Sequence, residues 1–194
     1  MSNQNNQSRR QFLINGSLAS LGVLWASQAA VSSTLFAGKP NSKFGGVQIG
    51  AITYSFRSMP GSVDDLIKYC VECNISAIEL MGDAVEEYAG KPKSTMARAA
   101  YVPGQPRPQM TDEQRAAMAK LNKDVADWRA SVSMDKFVEV RKMFNKAGIS
   151  IYAFKPNALG PNNTDGEVEY ALKAAKALGA NSVTIELPTD LKQS

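Results

Sequence analysis

The chain has 194 residues, with 22 lysines and arginines against 18 aspartates and glutamates, and no histidine. That length suits one α/β domain with a core of ordinary size, and a net charge of only +4, with no basic cluster, argues against a nucleic-acid partner. The missing histidine excludes an imidazole base or an imidazole metal ligand within this chain, leaving Glu, Asp, Lys, Tyr and Cys for any acid–base work.

Residues 1–37 read as a targeting signal. Ser8-Arg9-Arg10-Gln11-Phe12-Leu13 resembles the twin-arginine export motif, with Arg9 and Arg10 as its pair. A moderately apolar run over 14–25 is softened by Gly16, Ser17 and Gly22, and Ser27-Gln28-Ala29 offers a cleavage site. The run is too short and too rich in Ser and Gly for a transmembrane span. These features predict a protein exported folded to the periplasm or beyond, with the twin-arginine translocase as its partner in transit. The alternative is a chance Arg-Arg pair before an amphipathic helix.

A polar linker is expected over 38–46, then a first strand over 47–56. Ser62 is a natural N-cap, with Asp64 and Asp65 in the first turn of a helix over 63–73. Val63, Leu66, Ile67, Cys70 and Val71 form its apolar stripe. Cys70 and Cys73 make a Cys-x-x-Cys at the end of that helix, where the dipole disfavours thiolate; small core-facing residues are the preferred reading over a redox or metal pair. The second strand spans 77–81.

From 83 to 130 the rhythm breaks. Lys91-Pro92-Lys93 and Pro103-Gly104-Gln105-Pro106-Arg107-Pro108 exclude helix and central strand. Thr111-Asp112-Glu113-Gln114 is a capping-box pattern opening a helix to about residue 130, with Met118, Leu121, Val125 and Trp128 as its apolar side. An insertion this long after a strand predicts a lid over a site. Ser133 is expected to cap the next helix, in which Phe137, Val138, Arg141 and Phe144 recur at helical spacing. A third strand over 149–154 follows. A helix over 165–178, with Val168, Ala171, Leu172, Ala175 and Leu178 as its stripe, leads to a fourth strand over 182–187.

One phrase occurs three times: an amphipathic run ends at Asn or Gly, a small linker follows, and an apolar run of strand length comes next. It occurs at Asn74 to Met81, Gly148 to Phe154 and Gly179 to Leu187. This is the helix cap, short loop and buried parallel strand of an α/β unit. Both Glu79 and Glu186 fall late in such strands, where a carboxylate is costly unless that end opens onto a site. No glycine-rich nucleotide loop follows any strand, so nucleotide-binding doubly wound folds lose their main support.

Gly-Ala-Ile-Thr-Tyr-Ser-Phe at 50–56, Ile-Ser-Ala-Ile-Glu-Leu-Met-Gly at 75–82, Ala-Gly-Ile-Ser-Ile-Tyr-Ala-Phe at 147–154 and Leu-Gly-Ala-Asn-Ser-Val-Thr-Ile-Glu at 178–186 together resemble the sugar phosphate isomerase/epimerase family. These are xylose isomerase-like (β/α)8 TIM barrels. The resemblance implies an α/β fold with about the first four β/α units present, a half barrel over 47–194 with 83–130 as a lid-like insertion. It implies the N-terminal part of a secreted enzyme performing metal-dependent proton transfer on a sugar or hydroxycarbonyl substrate. The alternative is a non-catalytic carbohydrate-binding half barrel or an inactive gene fragment. A divalent metal (Mn, Mg or Zn) is expected for the full-length family protein. Its ligands, typically two glutamates, an aspartate and a histidine, come from strands five to eight, so no metal site is expected in this chain alone.

Four substrate-binding candidates follow. Tyr54, at the end of strand one, could give its hydroxyl to a sugar oxygen, or be a rim aromatic against the lid. Glu79 matches the family's strand-two glutamate; otherwise it pairs with a cation such as Lys155. Lys155 could hold a phosphate or enediolate oxygen, and Glu186 a substrate or metal-adjacent group; the plain reading of both is a salt-bridged rim. Ile52, Ile78, Tyr152 and Ile185 are expected to face the barrel interior. An unclosed sheet predicts self-association through its open edge.

Overall fold

The computed structural model describes residues 38–95, 104, 109–160 and 163–186. The export motif at Arg9 and Arg10, most of 92–108 and the end of the fourth predicted strand lie outside the described residues. A hairpin of β1 (Lys43–Phe44) and β2 (Val47–Gln48) precedes β3 (Ala51–Ile52), a 3-10 turn (Thr53–Phe56), α1 (Val63–Glu72) and β4 (Ala77–Met81). Next come α2 (Gly82–Tyr88), α3 (Asp112–Ser131), α4 (Asp135–Ala147), β5 (Ser150–Lys155), α5 (Asp165–Leu178) and β6 (Ser182–Val183). The fold is mixed α/β: β3, β4, β5 and β6 form one parallel sheet in chain order, with five α-helices among the described residues.

The thrice-repeated phrase is one physical device. Asn74, Gly148 and Gly179 all take left-handed backbone, at φ of 56°, 84° and 71°. After each, the next amide reaches back to the last turn: Ile75 N–H donates to the Cys70 carbonyl, Ile149 to Phe144 and Ala180 to Ala175. This closes the orphan carbonyls of the helix and turns the chain into the next strand. The helix starts are equally local. Ser62, Thr111 and Thr164 accept from the backbone N–H three residues on, while Asp65, Gln114 and Glu167 reach back to the cap amide. Each such cap is worth about 1 kcal/mol.

All five helices pack into one apolar cluster against a single sheet face. Ile78 and Leu80 of β4 and Ile151 and Phe154 of β5 meet Leu66 and Cys70 of α1, Val85 of α2, Phe137, Val140 and Phe144 of α4, and Ala174 and Leu178 of α5, with Trp128 of α3 at its margin. Ile78 is therefore on the helix side, not the interior-facing side expected; alternation along β4 gives the other face to Glu79 and Met81. Two helix stripes also differ from expectation. Val140 is buried and Arg141 exposed on α4, while Leu172 of α5 is 56% exposed and Tyr170 and Ala174 take its place inside.

The first strand is shorter than the predicted 47–56. Thr53 Oγ1 accepts the Met81 N–H at 3.0 Å, so a side chain takes the donor that a longer β3 would need, and pairing stops at Ile52. The predicted linker over 38–46 is not a tether. Buried Ser42 accepts from the Ser76 N–H at 2.9 Å and from Gln48 Nε2 at 2.8 Å, fastening the hairpin to the N-terminal end of β4. The insertion over 83–130 is not one open lid either, because it contains α2 and α3, whose C-terminal half joins the helical layer. Ser133 caps α4 from one residue early: its Oγ accepts the Asp135 N–H, and Met134 is the N-cap.

Candidate functional site

The sheet face turned away from the helices carries most of the predicted site residues. Glu79 is paired in register with Ile52 on one side and Ala153 on the other. The β4–β5 ladder slips between Ile78 and Glu79, leaving Tyr152 as the extra residue on β5. Such a bulge re-aims a side chain. Here the Tyr152 ring lies across the sheet towards Gly50, where an added Cβ would come within 2.5 Å of the ring. Burial, then the nearby Glu79 carboxylate, raises the Tyr152 pKa.

Glu79 Oε1 accepts the Thr184 hydroxyl at 2.6 Å. Lys155 binds Glu186 instead of Glu79, so the expected Glu79–Lys155 pair does not form. The physical reason is registry: Lys155 lies level with Met81, two residues beyond Glu79, and next to the chain leaving β6. Glu79, Lys155, Glu186 and Tyr152 are thus brought to one end and one face of the sheet. Tyr54 is not with them. It sits in the 3-10 turn, 53% exposed, with the Arg57 guanidinium 4.7 Å from its ring centre.

A second constellation was not anticipated. Glu86 of α2 is fully buried. Its Oε1 accepts from Arg129 Nε at 3.2 Å, Arg129 Nη2 at 3.0 Å and the Tyr170 hydroxyl at 3.2 Å, and its Oε2 accepts from Lys91 Nζ at 2.8 Å. Arg129 also donates through Nη1 to Glu167 Oε1 at 2.8 Å. Two carboxylates, a guanidinium and an ammonium balance in charge, and every oxygen of Glu86 is engaged, as buried ions require. Burial, then the adjacent Glu86 carboxylate, pushes the Tyr170 phenol far up. Beside this cluster, Asp83 accepts from Asn157 Nδ2 at 2.8 Å, joining the residues just past the ends of β4 and β5. Asp83, Lys91, Arg129, Asn157 and Glu167 wall a cleft of about 1220 Å³ whose far side is the Met118, Leu121 and Val125 side of α3. The ends of parallel strands are where α/β proteins place their ligands.

Among the described residues no three Cys, Asp or Glu side chains converge. Glu79 is turned to a hydroxyl and Glu186 to an ammonium. No helix among the described residues is long and apolar enough to cross a membrane.

No family model, curated protein or solved structure matches the chain.

The Glu86–Arg129–Glu167 cluster was missed because Arg129 lies 43 residues from Glu86 and 38 from Glu167, and the three sit on three different helices. One signal was readable: Thr164-Asp165-Gly166-Glu167 is a capping box. It places Glu167 in the first turn of α5, but nothing local tells that the other oxygen of its carboxylate meets Arg129.

Proposed function

We propose that this chain supplies half of the wall of a (β/α)8 barrel of the sugar phosphate isomerase/epimerase type, whose helix-free sheet face takes a sugar-like, hydroxyl-rich ligand. The observation carrying this reading is the strand order: among the described residues, four parallel strands in strict succession, with the five helices packed into one cluster on one face. A doubly wound sheet reverses its order and is covered on both sides, whereas a barrel runs one way and turns its second face inward. The second face here has the chemistry to hold hydroxyl groups. Glu79 and Thr184 supply an acceptor and a hydroxyl, Lys155 a cation and Tyr152 a ring edge.

The proposal includes export by the twin-arginine route to the periplasm or beyond. Replacing Arg9 and Arg10 by lysine should hold the precursor in the cytoplasm, and mature protein outside it would count against this. Metal-dependent proton transfer has no ligand set among the described residues, and both late carboxylates are already engaged.

Saturation-transfer NMR of the full chain with a panel of monosaccharides tests the proposal. Signal is expected with at least one sugar, and Glu79→Gln should weaken it about tenfold by removing a charge-assisted hydrogen bond worth roughly 1.5 kcal/mol. Binding indifferent to Glu79→Gln, Lys155→Met and Tyr152→Phe would remove the sheet face as the site.

A further inference from the structure

The opposite end of the sheet, where the strands begin, carries an exposed apolar tip. There α1, α4 and α5 finish, and the β1–β2 hairpin is fastened to the turn between α1 and β4. Asn41 N–H donates to Asn74 Oδ1 at 2.9 Å, and Asn74 Nδ2 donates back to the Asn41 carbonyl at 3.0 Å. Ser42 and Ser76 bond each other's amides, and Gln48 Nε2 donates to both hydroxyls, at 2.8 Å and 3.1 Å. With Gln48 turned to this anchor, alternation puts the Phe44–Val47 register pair on the other side of the hairpin. Phe44 is 65% exposed, Val47 62% and Ile49 45%. The turn at Gly45 and Gly46 stands clear of the fold, since an added Cβ on either would have nothing within 4 Å.

Cations continue from the hairpin across the strand ends. The Lys39 side chain lies against Gly148 at the end of α4, where an added Cβ would come 2.6 Å from it. The Arg141 guanidinium lies in the same way against Gly179 at the end of α5. Lys146 and Lys176 occupy the last turns of those helices, and Lys43 precedes Phe44 in β1. All five are exposed. Lys68, Lys136 and Lys173 pair with acids on their own helices, whereas none of the five has an ion pair among the described residues. The sequence gives the reason: 38–50, 140–150 and 170–184 contain no aspartate or glutamate. The acid at the end of α1, Glu72, is already 3.9 Å from Lys68. Each of the three helix ends presents about half a negative charge, less in total than these cations carry.

A projecting apolar tip beside a row of cations matches a partner that is anionic at its surface and apolar just beneath. A bilayer with anionic headgroups has that layering. An acidic protein or a nucleic acid would use the charges and has no need of the Phe44–Val47 tip. We infer that this end of the molecule docks on an anionic phospholipid bilayer. Phe44 and Val47 enter the headgroup boundary, and Lys39, Lys43, Arg141, Lys146 and Lys176 meet the phosphates. The inference does not rest on the sheet-face ligand.

The full chain is sedimented with vesicles of phosphatidylcholine, with and without phosphatidylglycerol. It should pellet with the anionic vesicles only, and less as salt is raised. Lys43→Gln with Lys146→Gln should weaken binding by about fivefold per charge. Phe44→Ser with Val47→Ser should weaken it by about tenfold or more. Phe44→Trp in a Trp25→Phe background should gain emission that brominated phosphatidylglycerol quenches, and Trp25→Phe alone should not. No binding to anionic vesicles overturns the inference, as does equal binding to neutral ones. Binding that neither pair of substitutions changes places the contact elsewhere in the chain and overturns it too. Retention on a single-stranded oligonucleotide without vesicle binding would make this a nucleic-acid surface instead. Oligomers dispersed by the serine pair, again without vesicle binding, would give the tip to a second copy. Should the serine pair lose its fold by circular dichroism, the lysine pair, at exposed positions, decides the point.

Discussion

Arg129 ties three parts of the chain together through one planar fork. Its Nε and Nη2 take one oxygen of Glu86, and its Nη1 takes Glu167. Burial alone would lower its pKa, but Glu86 and Glu167 outweigh that and raise it. Lysine could not reproduce this geometry, because it has no fork. Arg129→Met should therefore cost about 3 kcal/mol in urea unfolding, mostly from leaving Glu86 and Glu167 buried with fewer partners. A double variant, Arg129→Met with Glu86→Gln, should recover part of the loss, and strictly additive losses would contradict the coupling. Cys70 illustrates the opposite fate of a reactive group. Burial, then the neighbouring Cys73, pushes its thiol up to about 12. Iodoacetamide at neutral pH should label the exposed Cys73 and spare Cys70 until the protein is denatured. Labelling of Cys70 at the rate of Cys73 would show that α1 is not packed as described.

At the scale of the element, α3 is a helix held at one end. Its N-terminal half is exposed and depends on the Thr111–Gln114 capping box and the Arg115–Asp112 pair, while Lys120–Asp124 and Lys123–Asp127, both at 2.6 Å, run along its middle. Such exposed pairs contribute a few tenths of a kcal/mol each. Its C-terminal half docks through Arg129 and through Trp128, whose ring meets Tyr170 edge-on at 5.9 Å. Docking should depend on pH through Glu167. Burial would raise that carboxyl, but the Thr164 amide, Asn163 and Arg129 overcome it and hold the pKa below the ordinary glutamate value. A carboxyl lowered on folding stabilises the fold above its unfolded value, about 4.3, and that contribution is lost as pH falls through the folded value. Trp128 fluorescence, read in a Trp25→Phe background, should therefore be flat from neutral pH to about 4.5 and change below it. With Glu167→Gln the acid transition should shrink, and an unchanged transition would assign it to other groups.

Among the described residues, the parallel sheet has all its helices on one face and none on the other. Parallel sheets are rarely stable with one face uncovered, and among the described residues β3 and β6 are the edge strands of the sheet. Apolar side chains also stand out at the hairpin, where Phe44 is 65% exposed beside its register partner Val47. Sedimentation of the purified chain should show concentration-dependent association, since covering this surface is favourable by roughly 25 cal/mol per Å² of apolar area. Ile52→Lys together with Phe44→Lys should shift the population towards monomer. A wild-type chain that stays monomeric at high concentration would mean that the bare face is stable in water.

Everything governed by a few neighbouring residues was legible in the sequence. The caps at Ser62 and Thr111 and the turns at Asn74, Gly148 and Gly179 rest on contacts within about six residues, so local chemistry sufficed; the strand at 77–81 was readable from its apolar run after such a turn. The parallel α/β character followed, because repeated cap, loop and strand units leave few other ways to bury their apolar runs. What only the tertiary structure decided involves partners far apart in the chain. Thr53 ends β3 by taking an amide 28 residues away, the bulge at Tyr152 depends on the register with β4, and Glu79 finds Thr184 across 105 residues. Glu86 shows this most clearly. In sequence it is one acid beside Glu87 in a stretch with no periodic pattern; in the fold it is the fully buried one, because two other helices bring it Arg129 and Tyr170 and the chain leaving its own helix brings it Lys91.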